Sequence, residues 1–118
     1  MGRVSLTWLI FADIINVLLM KGISIMNIMN VSELIERVTE ICKANGVKRL
    51  DLFGSFATGT AMPTSDIDFV VYGCRDILKL EKDLEQIDTL RKIDVFDYDT
   101  LSNEFLLEDI KKYGIQIY

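Results

Sequence analysis

The chain has 118 residues, half of them hydrophobic, a formal net charge of −5 and no histidine. That length holds one domain with a real core, and the composition is that of a folded protein and not a disordered one. The missing histidine excludes His-ligated zinc, a His general base and a Ser-His-Asp triad; Cys42 and Cys74 are too few for a four-thiolate site.

Residues 1–28 form an apolar extension, rich in Leu, Ile and Met and broken by Asp13, Asn16 and Lys21. Those breaks argue against a stable membrane span, which needs roughly 20 largely uncharged apolar residues. Three accounts stay open: a helix docked on the domain or a partner, a weakly membrane-associated helix, or sequence upstream of the natural start. The last is suggested by Met26 and Met29, which directly precede a capping signature.

That signature is Asn30-Val31-Ser32-Glu33, and it predicts a helix start. Leu34, Ile35, Val38, Ile41 and Cys42 continue as a stripe at helical spacing, and Asn45-Gly46 ends the helix. A strand is predicted over 49–53, then a Gly54-Ser55 turn and a short helix, a loop around Pro63, and a second strand over 67–72 closing at Gly73. The clearest helix is 76–90. A third strand covers about 92–98, a last helix 102–113, and a marginal strand 115–118. The fold class is α/β (α+β), a small sheet with helices packed on it.

The chemistry concentrates in Gly54 to Asp68. A strand has a period of two, so Asp66 and Asp68 share one face. Two carboxylates that close repel each other unless a cation lies between them, and hard oxygen donors suit magnesium. The Gly54-Ser55 turn offers backbone N–H groups and a hydroxyl at a helix start, a cradle for phosphate. Asp94 is the third candidate, near the start of a strand expected beside 67–72. Gly59 is either a loop glycine or a point where backbone passes close to phosphate. Ser65 offers a hydroxyl beside the pair. Asp51, Asp97 and Asp99 read as solvent-facing. The acid excess downstream of Val31 argues against an extended nucleic-acid surface, while the scattered bases, Lys79, Arg91 and Lys92 among them, are either surface or a local rim for one nucleotide.

Gly-Ser, ten intervening residues, Asp-x-Asp and a later strand carrying Asp resemble the nucleotidyltransferase superfamily that includes DNA polymerase beta. The size is similar to that of the minimal nucleotidyltransferases, in particular the antitoxin-type proteins paired with HEPN-domain ribonuclease toxins. The resemblance runs from Val31 to the end, so 29–118 would be the nucleotidyltransferase domain. It implies a mixed sheet, ATP as substrate, and two Mg2+ ions (or Mn2+) held by Asp66, Asp68 and Asp94. Gly54 and Ser55, with Gly59 and Ser65, would hold the nucleotide phosphates. It further implies a cytoplasmic protein that transfers AMP to a tyrosine of a HEPN-domain toxin, within a hetero- or homo-oligomer. One departure stands out: family members often carry arginine in a Gly-Ser-x-Ala-Arg-Gly sequence, where this chain has Thr58. Either Lys79, Arg91 or Lys92 substitutes, or nucleotide binding is weak. The rival readings are a non-catalytic protein that covers a toxin, and a subunit that modifies a small molecule or an RNA end.

Overall fold

A computed structural model describes residue 20, residues 25–61, 66–89 and 91–118, with the backbone alone over 25–30. Most of the apolar extension, the Pro63 loop and Ser65 therefore lie outside the described residues. The first helix, α1, spans Ile25–Ala44. It runs back past the capping signature at Asn30, because nothing between 25 and 44 is a glycine or proline and a local cap signal does not by itself stop a helix. Its stripe of Val31, Leu34, Ile35, Val38 and Cys42 is buried. The helix closes where Gly46 takes φ 73° and the Val47 N–H returns to the Cys42 carbonyl at 3.0 Å, the left-handed ending that glycine allows.

Three further helices and four strands follow. They are β1 (Arg49–Phe53), α2 (Ser55–Thr58), β2 (Ile67–Tyr72), α3 (Ile77–Leu84), β3 (Ile93–Asp97), α4 (Glu104–Tyr113) and β4 (Ile115–Gln116). The sheet order is β3-β2-β1-β4. β1 is antiparallel to β2 and β4, and β2 is parallel to β3, so the sheet is mixed. The parallel pair needs a crossover, which α3 supplies. Asp76 caps α3, its side chain accepting from the Lys79 N–H at 3.1 Å.

α3 stops at Leu84 and not at Leu90. The chain tightens into i→i+3 bonds there, Gln86 N–H to Asp83 and Ile87 N–H to Leu84, a common way for a helix to end. Likewise Tyr98–Thr100 is a short 3-10 turn after β3, and α4 begins only after its cap, Asn103, whose side chain accepts from Leu106 N–H at 3.2 Å.

The two faces of the sheet differ. Leu50, Leu52, Ile67, Phe69 and Val71 join α1 and α3 in the main core. The alternate residues, Arg49, Asp51, Phe53, Asp68, Val70 and Tyr72, point the other way. There α4 covers only part of the surface: Val70 and Ile110 are buried, and the backbone at Gly114 passes beside the Asp51 carboxylate. No described helix is long and apolar enough to cross a membrane.

Asp51 overturns the expectation that it faces solvent. It is 1% exposed, and its oxygens accept from Arg49 Nε at 2.9 Å, Arg49 Nη2 at 3.1 Å and the Tyr72 hydroxyl at 2.9 Å. Alternation puts it on the face that α4 caps, which local sequence does not disclose. Burial, with Asp51 beside it, pushes the Tyr72 phenol upward, so it stays a donor.

Candidate active site

The site stands at one end of the sheet, where β1 ends and β2 and β3 begin. In the register Phe53 faces Asp68 across β1–β2, and Asp68 faces Asp94 across β2–β3. Residues opposite each other share a face, so Asp68 and Asp94 meet although they are far apart in sequence. Asp68 is half-buried and Asp66, just before β2, is exposed.

The Asp68 carboxyl is pushed up to about 6, first by burial, then by the charge of Asp94 and a hydrogen bond with it, then by Asp66; Lys92 partly offsets the rise. Asp94 takes an ion pair from Lys92 Nζ at 3.6 Å. Among the described residues no three such side chains form a ready-made metal cluster. The donor chemistry nevertheless fits a hard divalent ion: two carboxylates crowd together, a third adds to their field, and a cation relieves that repulsion. Asp68 and Asp94 would hold it, with Asp66 just ahead of β2 adding its charge.

Gly54 is built for this spot. Its φ of 72° and ψ of −149° belong to a region open essentially to glycine. A Cβ placed there would overlap Oδ2 of Asp68. Ser55 starts α2, and the Ala57 and Thr58 N–H groups return to the Gly54 carbonyl, both at 3.1 Å. The amides of Ser55 and Phe56 fall in the first turn, where a helix does not consume its own donors. Gly59 ends α2 in the left-handed conformation with φ 74°, which accounts for that glycine without a ligand. Ser65 lies outside the described residues.

Thr58, which stands where the family pattern often has arginine, folds back on the turn. Its hydroxyl oxygen lies 3.3 Å from the Gly54 carbonyl and 2.9 Å from the Thr60 hydroxyl. Of the basic residues proposed to stand in for arginine, Lys79 is tied to Asp83 at 2.8 Å and Asn45 at 3.0 Å. Lys92 sits against Asp94. The Arg91 guanidinium lies 5.0 Å from the centre of the Phe56 ring, next to Ser55. The Ile67 N–H bonds the Lys92 carbonyl at 3.0 Å, which fixes this segment beside the start of β2. A cleft of about 430 Å³ opens along β3, with Arg91, Lys92 and Asp94 in its lining.

Sequence reasoning passed over two other residues. Phe53 and Phe96 meet edge to face, ring centres 6.4 Å apart and planes at 88°, directly below the carboxylates. The signal available was that one aromatic sits just before Gly54 and the other two residues after Asp94.

Fold and site together define a nucleotidyltransferase. The chain belongs to the polymerase beta nucleotidyltransferase family, whose profile matches residues 36–118. It is 33% identical over 78 residues to a Methanocaldococcus jannaschii protein named as an inferred protein adenylyltransferase, MJ0435, an alignment spanning 62% of this chain and 83% of that protein. The crystal structure of a toxin–antitoxin with AMP-PNP superposes with a TM-score of 0.54 at 22% identity, covering 70% of this chain and 71% of the other. A mutant of the toxin–antitoxin MntA–HpeT gives 0.53 at 20% identity, over 70% and 71%. At those identities the two structures speak for the fold.

Proposed function

We propose that this nucleotidyltransferase moves AMP from ATP to a hydroxyl on another protein, a tyrosine of a helical HEPN-type toxin, and so acts as an antitoxin. The observation that carries the reading is the meeting of Asp68 and Asp94 beneath Gly54. The closeness of the Gly54-Ser55 turn to this crowded pair supports a phosphate held there beside the carboxylates. The 33%-identical relative supports protein as acceptor, and the toxin–antitoxin neighbours support the partner class.

Gly54 and Ser55 present backbone N–H groups and a hydroxyl to the triphosphate, and Arg91, whose guanidinium lies over the ring of Phe56, adds positive charge on that side. Asp66 and Asp68 face the α-phosphate, and Asp94, on the neighbouring strand, faces the acceptor. The acceptor oxygen attacks the α-phosphorus, the bond to the bridging oxygen of the β-phosphate breaks, and pyrophosphate leaves. The acceptor proton passes to a carboxylate oxygen of Asp94. Mg2+ or Mn2+, when bound, supplies charge neutralisation for the carboxylates and for the oxygens on which charge develops. In-line attack needs little from the chain beyond placement and charge.

Incubating the protein with labelled ATP, Mg2+ and a helical HEPN-type toxin as acceptor tests the reading. The partner should gain AMP, and chelator should stop the gain. One observation favours a second reading, a protein that only covers its partner: Thr58 spends its hydroxyl within the turn where a basic side chain would meet phosphate. In that case Asp66→Asn with Asp68→Asn would neutralise the partner as well as the native chain does.

A further inference from the structure

The open face of the sheet carries its carboxylates on an aromatic floor. Phe53 lies opposite Asp68 in the β1–β2 register, and Phe96 lies opposite Val70, one step down β3 from Asp94 on the same face. The two rings reach across β2 and meet edge to face at 6.4 Å. Val70 beneath them is fully buried, while both phenylalanines remain half-buried, because α4 covers the sheet further along, around Ile110 and Gly114. Two partly exposed phenylalanines beside three carboxylates cost free energy in water. Apolar surface of this kind next to charged groups marks a place where a ligand completes the packing.

We propose that Phe53 and Phe96 form the acceptor subsite, and that they select a hydroxyl borne on an aromatic ring over one on an aliphatic side chain. This inference rests on the AMP-transfer reading. Placement favours the acceptor over the adenine base. Phe96 belongs to the strand of Asp94, on the far side of β2 from the Gly54-Ser55 turn. Two residues along a strand cover roughly 6.6 Å, comparable to the reach of a tyrosine side chain from its oxygen across its ring. A ring whose oxygen stands at Asp94 and which extends down β3 therefore settles over Phe96, alongside the Phe53 ring that meets Phe96 edge to face. A serine hydroxyl at the same oxygen position would leave both rings uncovered.

The test uses the full chain with labelled phenylalanine rings, followed by NMR. Mg2+ and α,β-methylene-ATP are added first, then N-acetyl-tyrosinamide or N-acetyl-serinamide as acceptor probes. The Phe53 and Phe96 signals, assigned from Phe53→Leu and Phe96→Leu, should move with tyrosinamide and stay still with serinamide. Phe96→Leu should weaken the tyrosinamide response roughly tenfold, with nucleotide affinity unchanged, a split that a merely structural role would not produce. Ring signals that respond to the nucleotide alone, or equally to both acceptor probes, overturn the subsite. If nucleotide binds with Mg2+ while the rings ignore tyrosinamide, only the subsite is lost. If no nucleotide binds in the first step, the AMP-transfer reading falls and the subsite with it.

Discussion

The Asp68 carboxylate rests against Gly54 across the end of the β1–β2 ladder, in the space where a side chain at residue 54 would begin. The strand end and the Gly54-Ser55 turn are thus fitted to each other, and glycine is required twice, by backbone angle and by room. Gly54→Ala should lower stability by about 1–3 kcal/mol from the backbone conformation alone. It should also turn Asp68 away from Asp94. Thermal melts with and without Mg2+ check this: the Mg2+-dependent rise in Tm should disappear, and its survival would show that Asp68 needs no such clearance.

Replacing Asp68 with asparagine keeps the shape of the side chain and removes the charge that Asp94 and Asp66 oppose. The metal-free variant should be more stable than the native chain at neutral pH, and AMP transfer should vanish. Chemical denaturation in chelator, set beside a transfer assay in Mg2+, measures both. A less stable metal-free variant would mean that Asp68 is held by contacts and not crowded by charge.

The pH dependence has a definite sign. Asp68 rises from its ordinary 3.8 to about 6 in the folded chain, so between those values the folded state holds more proton than the unfolded one. Its contribution is fullest below pH 3.8 and is lost as pH climbs to about 6. The stability gained by Asp68→Asn should therefore grow over that window and then level off, at an amplitude on the order of 1 kcal/mol once solvent screening of a half-exposed group is allowed for. Urea titrations of both chains in chelator at several pH values give the difference curve. A difference that shrinks with rising pH would reverse the assignment.

Asp51 should matter for folding and not for chemistry. Asp51→Ala strips the Tyr72 hydroxyl and the Arg49 guanidinium of their shared acceptor and should cost about 2–3 kcal/mol. Tyr72→Phe, which leaves Asp51 with Arg49, should cost about 1 kcal/mol. Transfer activity per folded molecule should hold in both, as active-site titration against the folded fraction would report. A fall in that ratio would place Asp51 in the mechanism.

Local sequence disclosed those parts of this molecule that depend on neighbours in the chain. The limits of β1 and β2 follow from alternation bounded by glycine, while Asp66, expected on the strand with Asp68, stands just before it. Cys42 fell where expected, buried on the α1 stripe. What depends on distant partners was hidden. Asp94 was legible only as a carboxylate near the start of a strand expected beside β2; the parallel register that sets it against Asp68 is written in neither strand. Asp51 seemed exposed because nothing near it in sequence reveals that Gly114 will pass over it. The end of α3 was overrun because Ile87 and Leu90 extend its apolar spacing, though the chain has already turned. The Phe53–Phe96 contact spans three strands, so the position of each aromatic beside the site was legible but their meeting was not.

The parallel pairing of β2 with β3 has a consequence for how the site comes into being. A fragment ending at Gly73 would contain the Gly54-Ser55 turn, Asp66 and a single antiparallel ladder that ends at the Phe53–Asp68 pair. Asp94 arrives only after the chain has passed through α3 and returned to lie beside β2. The chain thus acquires its second crowded carboxylate only with a long-range closure, the slowest kind of contact to form. A nascent or partly unfolded molecule would hold ions no better than any exposed Asp-x-Asp, which makes tight metal binding a certificate of completed topology.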